Sequence, residues 1–310
     1  MHASSVFRPS LLLAFPVAVA LLATLAVPAK ITAQTGARER TLFVSAVDDS
    51  GKPVTGLTPG DFIVREDGAR REVLRVSRAL EPIDVALLVD NSASSASLIS
   101  PLREGLTRFI AAMTEAGGTT PHNIAIVGLA ARPTIIVDYT SDRKRLTDGI
   151  GRLFPERDSG MTLLDAIVEV SKGLEKRETA RIAIVPVITD GIEFTNRYYK
   201  DVLEALVRSG AGLHALTVGT FSISDDDGIR NRALALDEGT RASGGQRVTL
   251  LSTSAVPAAL DKLAAELTSQ YKVVYGRPDS LIPPEKVQVS AGRPGLAVRA
   301  TPARGQKTGA

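Results

Sequence analysis

Between Pro82 and about Ser269 the chain alternates short, almost wholly apolar runs with longer stretches of helical periodicity, and this pattern restricts its folds more than any other feature. The runs are Ile83–Val89, Ile124–Val127, Ile182–Ile188 and Leu213–Val218. Segments of that length, apolar at nearly every position, are expected for strands covered on both faces. Between them, Leu98, Leu102, Leu106, Phe109 and Met113 recur at helical spacing, as do Leu163, Ile167, Val170 and Leu174, and then Val256, Leu260, Leu263 and Leu267. Each set forms one apolar stripe. Alternating strands and helices predict an α/β fold, a doubly wound and mostly parallel sheet with helices on both faces. One pair must be antiparallel: residues 123–128 reach 134–138 through only Leu129 to Pro133, and a parallel crossover needs a dozen residues or more. Pro186 falls inside an expected strand and predicts a bulge there or a later strand start.

The flanks differ in style. Leu42–Val47, Phe62–Glu66 and Glu72–Val76 read as short strands, the last two joined by the hairpin signal Asp67-Gly68. After Gln270, Tyr271–Tyr275, Lys286–Ser290 and Leu296–Arg299 read the same way. Neither set buries a core alone. We therefore expect residues 34–79 and 271–302 to be halves of one small β-sandwich-like module, with the α/β domain of residues 80–270 inserted between them. Residues 303–310 are polar and small, a tail expected to be disordered.

Residues 1–33 carry Arg8 and Lys30, an apolar run from Leu11 to Ala29, and the small-residue site Ile31-Thr32-Ala33. This is the pattern of a cleaved export signal, with an uncleaved anchor as its rival. It places the protein in the periplasm or outside the cell, with no membrane span in the mature chain. Because Arg8 and Lys30 are the only charged residues of the leader, its removal lowers the net charge from +3 to +1. The remaining basic clusters, Arg70-Arg71 and Arg143-Lys144-Arg145, have no interleaved aromatics, so a nucleic-acid partner is not expected. The chain has no cysteine, which excludes disulfides, thiolate metal sites and cysteine nucleophiles.

Three short motifs fall at one edge of the expected sheet. Asp90-Asn91-Ser92-Ala93-Ser94 follows the first strand, Thr162 precedes an amphipathic helix, and Thr189-Asp190-Gly191 ends a later strand. The carboxyl edge is where open α/β sheets bind ligands. Taken singly, each has a plainer reading: Asp90, Ser92, Ser94 and Thr162 as helix caps, and Asp190-Gly191 as a turn. Taken together, D-x-S-x-S, a later threonine and a strand-terminal T-D-G resemble the metal-ion-dependent adhesion site of von Willebrand factor A domains. The flanking Gly51-Lys52-Pro53-Val54, Asp61-Phe62, Glu66-Asp67-Gly68 and Gln270-Tyr271 resemble the bacterial VWFA-related family described from Acidobacteria. The resemblance implies that Asp90, Ser92, Ser94, Thr162 and Asp190 hold Mg2+, or Mn2+ or Ca2+ in its place, directly or through water. It also implies that a partner's Asp or Glu carboxylate completes the coordination. Oxygen donors of this kind suit hard divalent cations.

Asp225-Asp226-Asp227-Gly228 lacks the spacing and closing glutamate of a calcium loop and reads as a solvated loop entering a helix. His122 and His214 read as structural, and Gly244-Gly245 as a helix end. No G-x-S-x-G, H-E-x-x-H or P-loop motif is present, so an enzyme is not expected. The expected function is an exported, metal-dependent protein-binding module. The alternative is an envelope scaffold in which the metal only staples loops.

Overall fold

The computed structural model describes residues 2, 37–116, 121–219, 226–278 and 282–302. The leader expected over residues 1–33, apart from His2, the tail 303–310 and Asp225 lie outside the described residues. The elements run in order β1 (Ala37–Val47), β2 (Phe62–Glu66), β3 (Ala69–Arg71), β4 (Val73–Arg78), β5 (Ile83–Val89), α1 (Ile99–Ala116), β6 (Asn123–Gly128) and β7 (Thr134–Thr140). They continue with α2 (Arg143–Gly151), α3 (Leu163–Leu174), β8 (Arg181–Thr189), α4 (Tyr199–Ser209), β9 (Gly212–Val218) and α5 (Asp227–Ser243). β10 (Gln246–Leu250), α6 (Val256–Thr268), β11 (Tyr271–Pro278), β12 (Val287–Ala291) and β13 (Ala297–Pro302) complete the chain.

The apolar runs build a six-stranded sheet in the order β10-β9-β8-β5-β6-β7. It is parallel except for β7, which pairs antiparallel with β6 as the short loop requires. Every residue of β5, β8 and β9 is buried. Side chains alternate between two cores. Val85, Leu87 and Val89 pack with Leu102, Leu106 and Phe109 of α1 and Leu260 and Leu263 of α6. Ala86 and Leu88 pack with Leu163 and Ile167 of α3, Val202 of α4 and Leu236 of α5. α1 and α6 meet closely: a Cβ on Gly105 would stand 2.8 Å from Leu260 Cδ1 and 3.0 Å from Pro257 Cα.

Pro186 produces neither a bulge nor a late start. β8 runs unbroken from Arg181 to Thr189, and Pro186 pairs with Leu88 of β5 in constant register. The interruption falls on the other side, where the pairing with β9 lapses at Val185 and Pro186 and resumes at Val187 in the same register. The missing N–H thus removes one rung toward β9 and leaves the pairing with β5 whole.

The flanking strands pair across the α/β segment. β13-β1-β11-β4 form one antiparallel sheet and β12-β2-β3 another, and Leu42, Val44, Phe62, Val64, Tyr271 and Val273 share a core between them. Asp67 and Gly68 both have positive φ, 47° and 84°, the type I′ geometry that closes a two-residue hairpin. The expected hairpin partner Glu72–Val76 is corrected here. Only Ala69–Arg71 pairs with β2; from Val73 the chain crosses to the other sheet and pairs with β11. Among the described residues no helix is long and apolar enough to cross a membrane.

His122, just before β6, and His214, within β9, are buried, and burial holds each imidazole down at about 4. Both stay neutral in the fold, while the unfolded chain binds protons from about 6.5 downward. Stability is therefore expected to fall as pH drops from 6.5 toward 4, by on the order of 2 kcal/mol per histidine between pH 7 and 5. Urea denaturation at the two pH values measures it, and His122→Gln should flatten the dependence.

Candidate functional site

β5 and β8 are central neighbours, and their carboxyl ends meet at Asp90. The Asp90 N–H continues the ladder to the Val187 carbonyl at 3.0 Å, and the side chain is wholly buried. One carboxylate oxygen, Oδ1, accepts the Ser92 N–H at 2.9 Å and the Ser92 hydroxyl at 2.6 Å. The other, Oδ2, accepts the Thr189 N–H at 3.0 Å and the Thr189 hydroxyl at 2.5 Å. Ser94 Oγ closes the circuit, 2.9 Å from Ser92 Oγ and 3.0 Å from Thr189 Oγ1.

Each hydroxyl of this ring has one proton to give. Those of Ser92 and Thr189 go to Asp90, so the single proton of Ser94 serves only one of its two contacts. The other contact sets oxygen lone pairs against each other across about 3 Å. An electron-rich arrangement of neutral hydroxyls backed by a buried carboxylate is chemistry that suits a hard cation. No group of three or more His, Cys, Asp and Glu side chains that could hold a metal ion exists among the described residues.

The plainer reading as helix caps fails at two positions. Ser92 stands at the N-cap of the 3-10 turn Ala93–Ser95 and Thr162 at the N-cap of α3, yet neither side chain makes a capping bond. Thr162 instead donates toward the Leu129 and Ala130 carbonyls, both at 3.2 Å. Asn91 steadies that same loop, its Oδ1 accepting the N–H groups of Leu129 and Ala130 at 2.8 and 3.0 Å. The structure thus brings Asp90, Ser92, Ser94 and Thr189 together by direct bonds. Thr162 stands at the same sheet edge, bonded to the β6–β7 loop and not to the ring. Asp190 is exposed and turns its carboxylate against Gly219, where a Cβ would lie 2.7 Å from Oδ2. Gly191 packs on the ring, since a Cβ there would fall 2.1 Å from Ser94 Oγ.

Sequence reasoning passed over three contributors. Thr189 lies inside the quoted T-D-G triplet but only Asp190 was assigned from it. Glu193 is buried and accepts the Leu164 N–H of the first turn of α3 at 3.4 Å, serving the helix end that Thr162 leaves uncapped. Burial pushes its carboxyl up to about 8. Arg232 of α5 is fully buried, its guanidinium 4.0 Å from Glu193, and donates to the Gly191 and Asp190 carbonyls at 2.5 and 3.4 Å. Burial lowers its pKa, opposed by Glu193 and then Asp90 and Asp190. Its signal was available: Arg232, Ala235, Leu236 and Gly239 share one stripe of α5. Around the site, Phe154, Ile192, Phe194 and Tyr198 are large and exposed.

Thr189→Val removes a hydroxyl from a buried carboxylate and is expected to destabilise the protein by about 2 kcal/mol. Thr189→Ser keeps the donor and should lose clearly less in chemical denaturation.

Comparison with known proteins follows this geometry. Residues 85–193 match the family model for the von Willebrand factor type A domain. No curated protein matches. Among solved structures, a von Willebrand factor type A protein from Catenulispora acidiphila is similar at 13% identity, covering 87% of this chain and 73% of that one, with a TM-score of 0.48. The conserved hypothetical protein BatB from Bacteroides thetaiotaomicron is similar at 17% identity, covering 60% and 100%, with a TM-score of 0.43. The vWF domain of the type V pili tip protein Mfa5 from Porphyromonas gingivalis is similar at 14% identity, covering 60% and 95%, with a TM-score of 0.44. The match to the von Willebrand factor type A domain model over residues 85–193 falls within a fold of a mixed six-stranded sheet with helices on both faces and additional antiparallel sheets.

Proposed function

We propose that this protein is an exported binding module that takes an Asp or Glu carboxylate of a partner protein through a divalent cation. Asp90, Ser92, Ser94, Thr162 and Asp190 hold that cation, directly or through water, with Thr189 as a further member of the set. Mg2+ is the expected ion, with Mn2+ or Ca2+ as substitutes. The observation that carries this reading is the hydroxyl ring on Asp90. Oxygens bound at right angles to a magnesium ion at about 2.05 Å stand about 2.9 Å apart, and Ser92 Oγ and Ser94 Oγ are separated by 2.9 Å. Two neutral first ligands leave much of the ion's charge unbalanced, which favours an incoming carboxylate. The exposed Ile192 and Phe194 of the loop after Asp190 give a protein partner apolar surface to cover beside the charge.

The finer family placement, with the bacterial VWFA-related proteins described from Acidobacteria, belongs to this proposal and rests on the flanking motifs. So does export, which rests on the leader pattern in residues 1–33. The absence of known hydrolytic motifs from the sequence supports a binding protein over an enzyme.

Mn2+ titration followed by electron paramagnetic resonance tests the site. The wild type is expected to bind one ion, Asp90→Ala none, and Ser92→Ala and Ser94→Ala at least about tenfold more weakly. Acetate is the carboxylate probe: it should displace bound water from the loaded protein and lower the relaxation enhancement of solvent protons. A wild type that binds no Mn2+ would sink the reading. An ion that binds and raises the melting temperature strongly, with no response to acetate, would favour the scaffold alternative.

A further inference from the structure

The structure assigns Arg232 a role in the proposed cation site: we propose that it is a positioning residue, the clamp that sets the Asp190–Gly191 backbone against the hydroxyl ring. This inference rests on the metal-binding reading above.

A guanidinium with no exposed side-chain surface is an expensive choice for a helix stripe. Taking a guanidinium out of water is costly, and apolar side chains of similar volume often serve stability as well or better. The local geometry accounts for its presence. Arg232 reaches from α5 to the chain just after β8 and donates to two successive carbonyls, those of Asp190 and Gly191. A planar fork can hold two acceptors in one orientation, which an ammonium does less well. Gly191 is the residue that touches Ser94 Oγ, so the clamp acts one contact away from the ring. Its ionic partner extends the reach. Glu193 lies 4.0 Å from Arg232 and bonds the first turn of α3, directly after Thr162.

The backbone adds a third tie in the same place. Met161 N–H donates to the Ile192 carbonyl at 2.8 Å and Phe194 N–H to the Met161 carbonyl at 2.7 Å. The Asp190 loop and the Thr162 loop are therefore joined to each other, and Arg232 with Glu193 joins both to α5. Asp190 and Thr162 are the two assigned ligands that the ring itself does not hold. The buried pair supplies the placement that the ring lacks.

The test compares Mn2+ affinity and amide exchange in four full-length proteins. Arg232→Met is expected to bind Mn2+ at least tenfold more weakly and to speed exchange at the Gly191 and Phe194 amides. Arg232→Lys should recover part of the affinity. Leu236→Ala, one turn along the same helix, removes core packing and should lower stability while leaving Mn2+ affinity unchanged, which separates positioning from general destabilisation. Wild-type affinity in Arg232→Met, or equal loss of affinity in Leu236→Ala, would overturn the proposal. Should Arg232→Met fail to fold, Arg232→Lys carries the test: wild-type affinity with unchanged amide exchange overturns the proposal. A wild type that binds no Mn2+ would instead defeat the underlying metal reading, and the exchange data would still report whether Arg232 holds the loop.

Discussion

A buried carboxylate between two central strands sets the terms for the rest of this structure. Asp90 is out of water, and a carboxylate in that position persists only if its oxygens are fully engaged. Each oxygen takes one N–H and one O–H, from Ser92 on one side and Thr189 on the other. This satisfies the charge and joins the ends of β5 and β8 at the same time. It also suits particular residue types. A short side chain with a donor can give the carboxylate both a backbone and a side-chain bond from one residue, and serine and threonine do so here. The serine and threonine thus serve Asp90 before any ligand is considered, and Ser94 is drawn in by them.

The hydroxyls at two helix starts make other bonds than caps, and for α3 the fold compensates from a distance. The 3-10 turn after Ser92 and the start of α3 after Thr162 both lack the side-chain caps their sequences suggest. For α3 the duty passes to Glu193 on a different loop, and the Arg232 guanidinium is buried 4.0 Å from it. Polar groups of this kind are high-stakes, since each is costly if its partner is lost.

The legibility of the site in the sequence follows this chain of dependence. Asp90, Ser92 and Ser94 are contiguous and carry a spacing that can be read directly. Asp190 was legible as a strand-terminal acid, but its neighbour Thr189, which makes the shorter contacts to the ring, was hidden because threonine ends many buried strands without any role. Glu193 and Arg232 depend on how α3 and α5 dock on the sheet, which no local pattern encodes, though an arginine on an apolar helical stripe was a readable anomaly. The fold was more legible than the site because two-sided burial leaves long apolar runs. Its misread parts were those where partners at a distance decide. Pro186 is tolerated because its missing donor faces β9 and not β5. The segment after Asp67-Gly68 divides between two sheets because β11 competes for it beyond Glu72.

The attachment of the flanking strands reinforces this division. β4 leads into the start of β5, and α6 leads directly into β11, so both junctions lie at the amino edge of the six-stranded sheet. Arg181, the first residue of β8, seals that edge: it is buried and donates to the Glu81 carbonyl at 2.9 Å and to Gln270 Oε1 at 2.8 Å, and Gln270 donates in turn to Ser45 Oγ at 3.1 Å. At the amino edge these bonds serve to join the two parts. The carboxyl edge is built the opposite way, with hydroxyl oxygens sharing too few protons and large apolar side chains left exposed beside them. The ring of hydroxyls on Asp90 has more contacts than protons, whereas Arg181, Gln270 and Ser45 are paired with one another across the junction, and this asymmetry distinguishes the two ends of the sheet.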